Sequence, residues 1–350
     1  KGRGYQPAET DEADRFHAVG IVDPQTGLPL KQAAQSWTSV FSDELVALAN
    51  TRSDIVAITA AMLGPTGLTE FAQKFPERTF DVGIAEQHAV TVSAGMATQG
   101  LKVFCNIYSS FMQRAYDSVV HDVAIQKLPV IFCLDRAGVV GDDGPTHHGC
   151  YDVSYFRCIP NMIISAPMNE SELRNLMYTA QLESTKLPFV IRYPRGEGVM
   201  PDWKTPFKEI QIGTGRKLKE GAEIAILSLG HPGNFAAAAI RELLNDGIRP
   251  GHYDIRFVKP LDEALLHEAC QRYPKLITVE DGTVKGGFGS AVLEFMAEHG
   301  YKNDLQILGI PDRLVEHGTP AELHRECNYD AAAIVAAVRK MVSVSVKISD

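Results

Sequence analysis

From residue 36 onward, short apolar runs rich in β-branched residues alternate with longer mixed segments, the pattern of strands interleaved with helices. The runs 54–59, 102–107, 129–134 and 188–192 predict strands. A helix is expected near 67–75, and a helix-length segment separates the second run from the third. The stretch 196–208, with Gly198, Pro201 and Pro206, breaks the pattern and reads as a linker. Alternation then resumes with a strand over 223–228 and an alanine-rich helix over 234–245. Strands near 252–257 and over 275–280 follow, then a helix starting near Gly287. Strands separated by helices need crossover connections. The pattern therefore predicts an α/β chain of two doubly wound, mostly parallel-sheet domains, 36–200 and 201–350. Residues 1–35 carry Pro7, Pro24 and Pro29 with little periodicity, and read as a polar connector.

Length agrees with two domains: 350 residues exceed the roughly 250 that one core supports. The formal charge of −9 comes with scattered basic residues. That excludes the concentrated positive surface which nucleic acid or an anionic membrane requires. No apolar run is long enough to span a bilayer. The opening Lys1-Gly2-Arg3-Gly4-Tyr5-Gln6-Pro7 has no initiator Met and no signal core, and reads as a cut in something longer. The six cysteines form no CxxC pair, and Cys105 and Cys133 lie inside apolar runs. Buried structural thiols in a reducing cytoplasmic compartment are the expectation.

Candidate chemistry gathers in the first domain. Phe80-Asp81-Val82-Gly83-Ile84-Ala85-Glu86-Gln87-His88-Ala89 is a glycine-containing loop running into an alanine-rich helix. On spacing alone, Glu86 either complements the helix dipole at an exposed N-terminus or takes part in chemistry. Arg136 and Arg195 follow strand ends, where either surface ion pairing or anion binding is open to them. A zinc pair at His147-His148 lacks a third ligand. His88 and His121 fall on helices and read as structural. Lys285-Gly-Gly-Phe-Gly289 reads as a tight strand-to-helix turn.

Taken together, several segments are more specific. These are Thr59-Ala-Ala-Met62, Tyr108-Ser-Ser-Phe111-Met-Gln-Arg114-Ala-Tyr-Asp117, Asp135-Arg136-Ala-Gly138, Asp143-Gly-Pro-Thr-His147-His148-Gly149 and Arg192-Tyr-Pro-Arg195-Gly196. With Gly4-Tyr5, Pro7-Ala8-Glu9 and Phe16-His17, the chain resembles the carboxy-terminal half of the 1-deoxy-D-xylulose-5-phosphate synthases. These are thiamine-diphosphate enzymes of the transketolase type. Departures at Asn106, Met112, Asp142 and Cys150-Tyr151 replace no residue type the chemistry requires.

The resemblance implies a pyrimidine-binding domain followed by a transketolase carboxy-terminal domain. It implies that Glu86, protonated in an apolar pocket, hydrogen-bonds the aminopyrimidine of thiamine diphosphate. Phe111 would stack on that ring, and Met62 would support the cofactor or simply fill a gap. Tyr108, Arg136, Asp143 and Arg195 would hold the phosphorylated substrate, and His147 would transfer protons. The implied substrates are pyruvate and glyceraldehyde 3-phosphate, and the products CO2 and a precursor of isoprenoids, thiamine and pyridoxal phosphate. A homodimer is implied too, with Mg2+ at the diphosphate.

The sequence holds no Gly-Asp-Gly motif for that ion; Glu280-Asp281-Gly282 is its nearest echo. The chain by itself is therefore expected to be inactive. Two rival readings are a β subunit of a 2-oxo acid dehydrogenase and a non-catalytic assembly module. The intact set Glu86, Phe111, Arg136 and His147 speaks against the second.

Overall fold

A computed structural model describes residues 3–9, 23–25 and 35–346. Its strands are β1 (Ile55–Thr59), β2 (Thr79–Asp81), β3 (Lys102–Tyr108), β4 (Ile131–Ala137), β5 (Ile163–Ser165) and β6 (Phe189–Pro194). Then come β7 (Arg216–Lys219), β8 (Ile224–Leu229), β9 (Gly251–Asp254), β10 (Phe257–Lys259), β11 (Lys275–Thr283) and β12 (Asp304–Ile310). A seven-stranded sheet runs β10-β5-β6-β4-β3-β1-β2, and a five-stranded sheet runs β12-β11-β8-β9-β7. Only β10 in the first and β7 in the second pair antiparallel. The α/β, mostly parallel class read from the pattern is thus the observed one.

Both faces of the first sheet are covered, which is why its central strands read as unbroken apolar runs. Val56, Ile58, Val103 and Cys105 face a core with Ala89 and Val90 of the helix Glu86–Thr98. Their neighbours Ile55, Ala57 and Phe104 face the helices Trp37–Thr51 and Glu170–Ala180. Ser36 caps the first of these helices and Asn169 the second, each accepting a backbone N–H in the opening turn. In the second sheet Ile224, Ile226, Ile277 and Val279 pack under Pro232–Asn245 and Ala331–Val346. On its other face Ala225, Leu227 and Leu276 join the core that holds Val56 and Ile58, so one apolar interior runs beneath both sheets.

Four expectations are corrected. The strand near 252–257 is broken at Arg256, which sits at φ +57°, and its two halves join different sheets. The helix-length segment after β3 is a chain of short pieces, Ser109–Met112, Gln113–Ala115, Tyr116–Ser118 and Val119–Ala124. Residues Gln6–Glu9 form a helical turn within the expected connector, while Phe16-His17 and most of 1–35 lie outside the described residues. Cys158 is exposed, although the other five cysteines are buried. Among the described residues no helix is long and apolar enough to cross a membrane.

Candidate active site

Parallel register decides what meets at the carboxyl edge of the first sheet. Tyr108, the last residue of β3, is level with Asp135 of β4, and Ala137 of β4 is level with Pro194 of β6. Arg136 and Arg195 therefore emerge at the ends of adjacent strands, beside Tyr108. Thr59 of β1 is level with Asp81 and Asn106, so the loops bearing Met62 and Glu86 open on the same edge. The chain leaves β1 for β2 on one side and returns to β3 on the other. That switch of direction marks where open α/β sheets bind ligands.

Tyr108, Phe111, Arg136, Asp143, His147 and Arg195 form one contact set. The Arg136 guanidinium lies 4.2 Å from the Tyr108 ring centre, and Tyr108 stacks on Phe111 at 5.5 Å. His147 meets Phe111 edge-on at 5.2 Å. Asp143 Oδ2 accepts from Arg195 Nη1 at 2.6 Å and, at 3.5 Å, from Arg136 Nη1. One Asp143 oxygen shared between two guanidiniums leaves further N–H donors on both for an anion. Arg136 is held at φ +60°, and its buried Nε has no partner among the described residues. Strained backbone and an orphaned donor together mark a place built for something other than stability. Burial pushes the Tyr108 phenol up, keeping it a hydrogen-bond donor. Thr146 Oγ1 engages His147 Nδ1 at 2.8 Å, which leaves Nε2 free to exchange a proton.

Glu86 and Met62 sit to one side of this set. Glu86 is 2% exposed at the start of its helix, and Arg114 Nη1 contacts its two oxygens at 2.7 and 2.8 Å. That ionic partner corrects the expected apolar pocket, and Ile84, expected to help line it, is 79% exposed. Arg114 follows Phe111 in the broken helix, so the pair fastens Glu86 to the aromatic segment. Met62 lies half-buried on the loop after β1, its carbonyl accepting from Thr66. Asp81 Oδ1 accepts from Ala61 N at 2.7 Å and Gly83 N at 3.0 Å, tying the Met62 loop to the Glu86 loop.

Asp81, Arg114 and Thr146 join the site without a sequence motif that assigns them a role. An aspartate two residues before a glycine is a turn signal that points to Asp81; nothing local points to Arg114. His148 is spent on structure: Nδ1 accepts from Val140 N, and Nε2 engages the Glu316 carbonyl. His88 and His121 are exposed on their helices.

These residues fit the aminopyrimidine part of thiamine diphosphate. A buried carboxylate faces the aromatic segment, and the buried hydroxyls of Ser109 and Ser110 beside Phe111 lack partners among the described residues. They do not fit its metal. Among the described residues only His231, Asp281 and His324 gather as ligands. They lie in the second half of the chain, with two imidazoles where magnesium takes oxygens.

The class of protein to which this chain belongs is shown by its relatives. Residues 33–199 match the family model for the transketolase pyrimidine binding domain, and 213–334 that for the transketolase C-terminal domain. A split-gene transketolase, an inactive beta4 tetramer, superposes with a TM-score of 0.78 at 30% identity, covering 87% of this chain and 97% of that one. A transketolase mutant from Pichia stipitis shares the fold, with a TM-score of 0.71 at 18% identity over 89% of this chain and 46% of its own. The chain belongs to the transketolase family.

Among curated relatives, the chain is similar to 1-deoxy-D-xylulose-5-phosphate synthases. It is 57% identical to that of Cytophaga hutchinsonii over 99% of this chain and 55% of the relative. To that of Aquifex aeolicus it is 51% identical, over 97% and 54%. The chain spans about half the length of the curated relatives it matches.

Proposed function

We propose that this chain carries the pyrimidine-ring and aldehyde side of an enzyme condensing pyruvate with glyceraldehyde 3-phosphate, giving 1-deoxy-D-xylulose 5-phosphate and CO2. The observation that carries this reading is the pair Arg136 and Arg195, bridged by Asp143 and set against Tyr108, Phe111 and His147. Thiamine diphosphate, when bound, supplies the carbanion chemistry that lets a 2-oxo acid lose CO2 and its acyl unit join an aldehyde. Glu86 would hold the aminopyrimidine by a hydrogen bond, Phe111 would stack beneath it, and Met62 would pack against it. Arg136 and Arg195 hold the phosphate, with Tyr108 as a neutral donor, and Asp143 fixes the separation of the two guanidiniums. His147 Nε2 gives a proton to the aldehyde oxygen as the new bond forms and withdraws one from the pyruvate-derived hydroxyl.

The relatives are about twice as long, so in this reading the diphosphate and Mg2+ sit on the rest of the enzyme. The product then serves isoprenoid, thiamine and pyridoxal phosphate synthesis in the cytoplasm. A homodimer is part of the proposal, supported by exposed Ile84 and Ile125 flanking the helix Glu86–Thr98 and the segment beside it. The test is product formation from the two substrates by the whole enzyme. Turnover of ketose and aldose phosphates without pyruvate, or no product, would overturn the reading.

A further inference from the structure

The second sheet has a switch point of its own. The chain passes from β8 to β9 on one side, then returns to β11 on the other. In open α/β sheets the crevice beyond two such strands is where ligands bind. His231 stands just past β8, opening the helix Pro232–Asn245, and Asp281 stands near the end of β11. His324, on the helix Pro320–Glu326, closes over them. One ligand atom from each of the three lies within 4.8 Å of the others.

We propose that His231, Asp281 and His324 form a binding site for a divalent transition metal ion of the zinc type, with a fourth position open. Two imidazoles and one carboxylate are the ligand chemistry zinc selects, and three protein ligands are what an open site provides. The surroundings supply what such a site needs around its ligands. Asp281 is 1% exposed, and its Oδ1 is fixed by Tyr329 Oη at 2.7 Å and Val139 N at 3.3 Å, turning Oδ2 toward the histidines. Phe235 packs against both imidazoles, at 5.5 Å from His231 and 5.0 Å from His324, and Tyr329 lies 5.2 Å from His324. The His324 ring makes no hydrogen bond among the described residues, which leaves a half-buried imidazole beside a carboxylate with its lone pair unused.

Without the ion, His231 Nε2 and Asp281 Oδ2 sit 2.5 Å apart as a hydrogen-bonded pair. Tetrahedral zinc at its usual bond lengths separates ligand atoms by about 3.3 Å. Binding therefore replaces the shared proton, releases it, and parts these two atoms slightly while drawing His324 in. His231 has 13% of its side chain exposed, so it has room to move and gives the ion a path inward. Because Val139 lies on the loop that follows β4 and leads to His147, the ion would also anchor that loop from behind.

The test uses the purified, tag-free enzyme, stripped with a chelator and dialysed. It is then titrated with Co2+ as a spectroscopic probe and with Zn2+ by elemental analysis and against a competing chelator. The expected result is one ion per chain, a tetrahedral Co2+ spectrum displaced by Zn2+, and a thermal transition raised by Zn2+. Tyr329→Phe should weaken binding about 10- to 100-fold through Asp281 alone. His324→Ala and His231→Ala should lose more than that while keeping the far-ultraviolet circular dichroism of the parent. Absence of stoichiometric binding, or binding unchanged by both histidine variants, overturns the proposal and leaves the cluster as a hydrogen-bonded pair. No arm reads turnover, so the outcome is independent of the proposed reaction.

Discussion

Gly138 is a point at which the two halves of the chain meet with no room for a side chain. It lies at φ +78°, and a Cβ built there would overlap the Asp281 carboxylate outright. Alanine at that φ costs about 1–2 kcal/mol from its own backbone. The larger cost falls on Asp281, which accepts from His231, Tyr329 and Val139 and cannot yield without losing at least one of them. Burial alone would raise the Asp281 pKa, but the His231 imidazole holds it well below the usual carboxylate range, so these are bonds to an ionised group. One charge-assisted hydrogen bond adds about 1.5–3 kcal/mol, giving about 3–5 kcal/mol for Gly138→Ala.

For a 350-residue chain unfolding as a unit, that lowers the thermal midpoint by roughly 4–7 °C. The assay is thermal unfolding of Gly138→Ala, Asp281→Ala and the double variant. Removing the carboxylate removes the collision, so the double variant should be more stable than the sum of the singles by about 2 kcal/mol. A Gly138→Ala protein within about 0.5 kcal/mol of the parent, or strict additivity, would refute the reasoning.

Asp254 is buried with Oδ1 unpartnered among the described residues, and burial raises its pKa to about 6 against the pull of Arg216. Its folded form holds a proton that the unfolded chain releases near 3.8, so stability should fall as pH climbs from there to about 6 and then level off. Relative to Asp254→Asn the change is on the order of 3 kcal/mol; a difference in thermal midpoint that ignores pH would count against it. Glu86→Gln in the whole enzyme should slow exchange of the cofactor's thiazolium proton by orders of magnitude with the fold unchanged; exchange at the parent rate would remove Glu86 from its role. Cys158, exposed while the other five are buried, should be the single site modified by a thiol reagent under native conditions, as read by peptide mass spectrometry.

How much of this was legible in the sequence follows from where each element draws its stability. The runs that became β1, β3, β4 and β6 are buried on both faces, and their continuous apolar character survives translation into sequence. Short or edge strands do not announce themselves. β7 is Arg216-Lys-Leu-Lys219, polar because it lies at the rim of its sheet, and β2 is only Thr79-Phe-Asp81. The break at Arg256 is a tertiary choice, since the strand beyond it pairs with β5 of the other sheet.

At the site, strand ends pointed to Arg136 and Arg195, while the roles of Phe111, Asp143 and His147 rested on resemblance. The pairing of Glu86 with Arg114 was invisible because it depends on the broken helix after β3, which periodicity read as a single segment. His231, Asp281 and His324 are brought together only by the sheet's crossover order, which no local pattern encodes.

In the proposed function Arg136, braced by Asp143 against Arg195, grips the phosphate of the aldehyde substrate. The most direct measurement is KM for glyceraldehyde 3-phosphate and for unphosphorylated glyceraldehyde, in the whole enzyme and its Arg136→Ala variant. Losing one charged hydrogen bond predicts a rise of roughly 10- to 150-fold with the phosphorylated acceptor and little change with the other. His147→Ala, by contrast, should lower kcat with both acceptors, because proton transfer does not depend on the acceptor's tail. Equal losses on both acceptors for Arg136→Ala would contradict the phosphate role and reduce the pair with Asp143 to a structural ion pair.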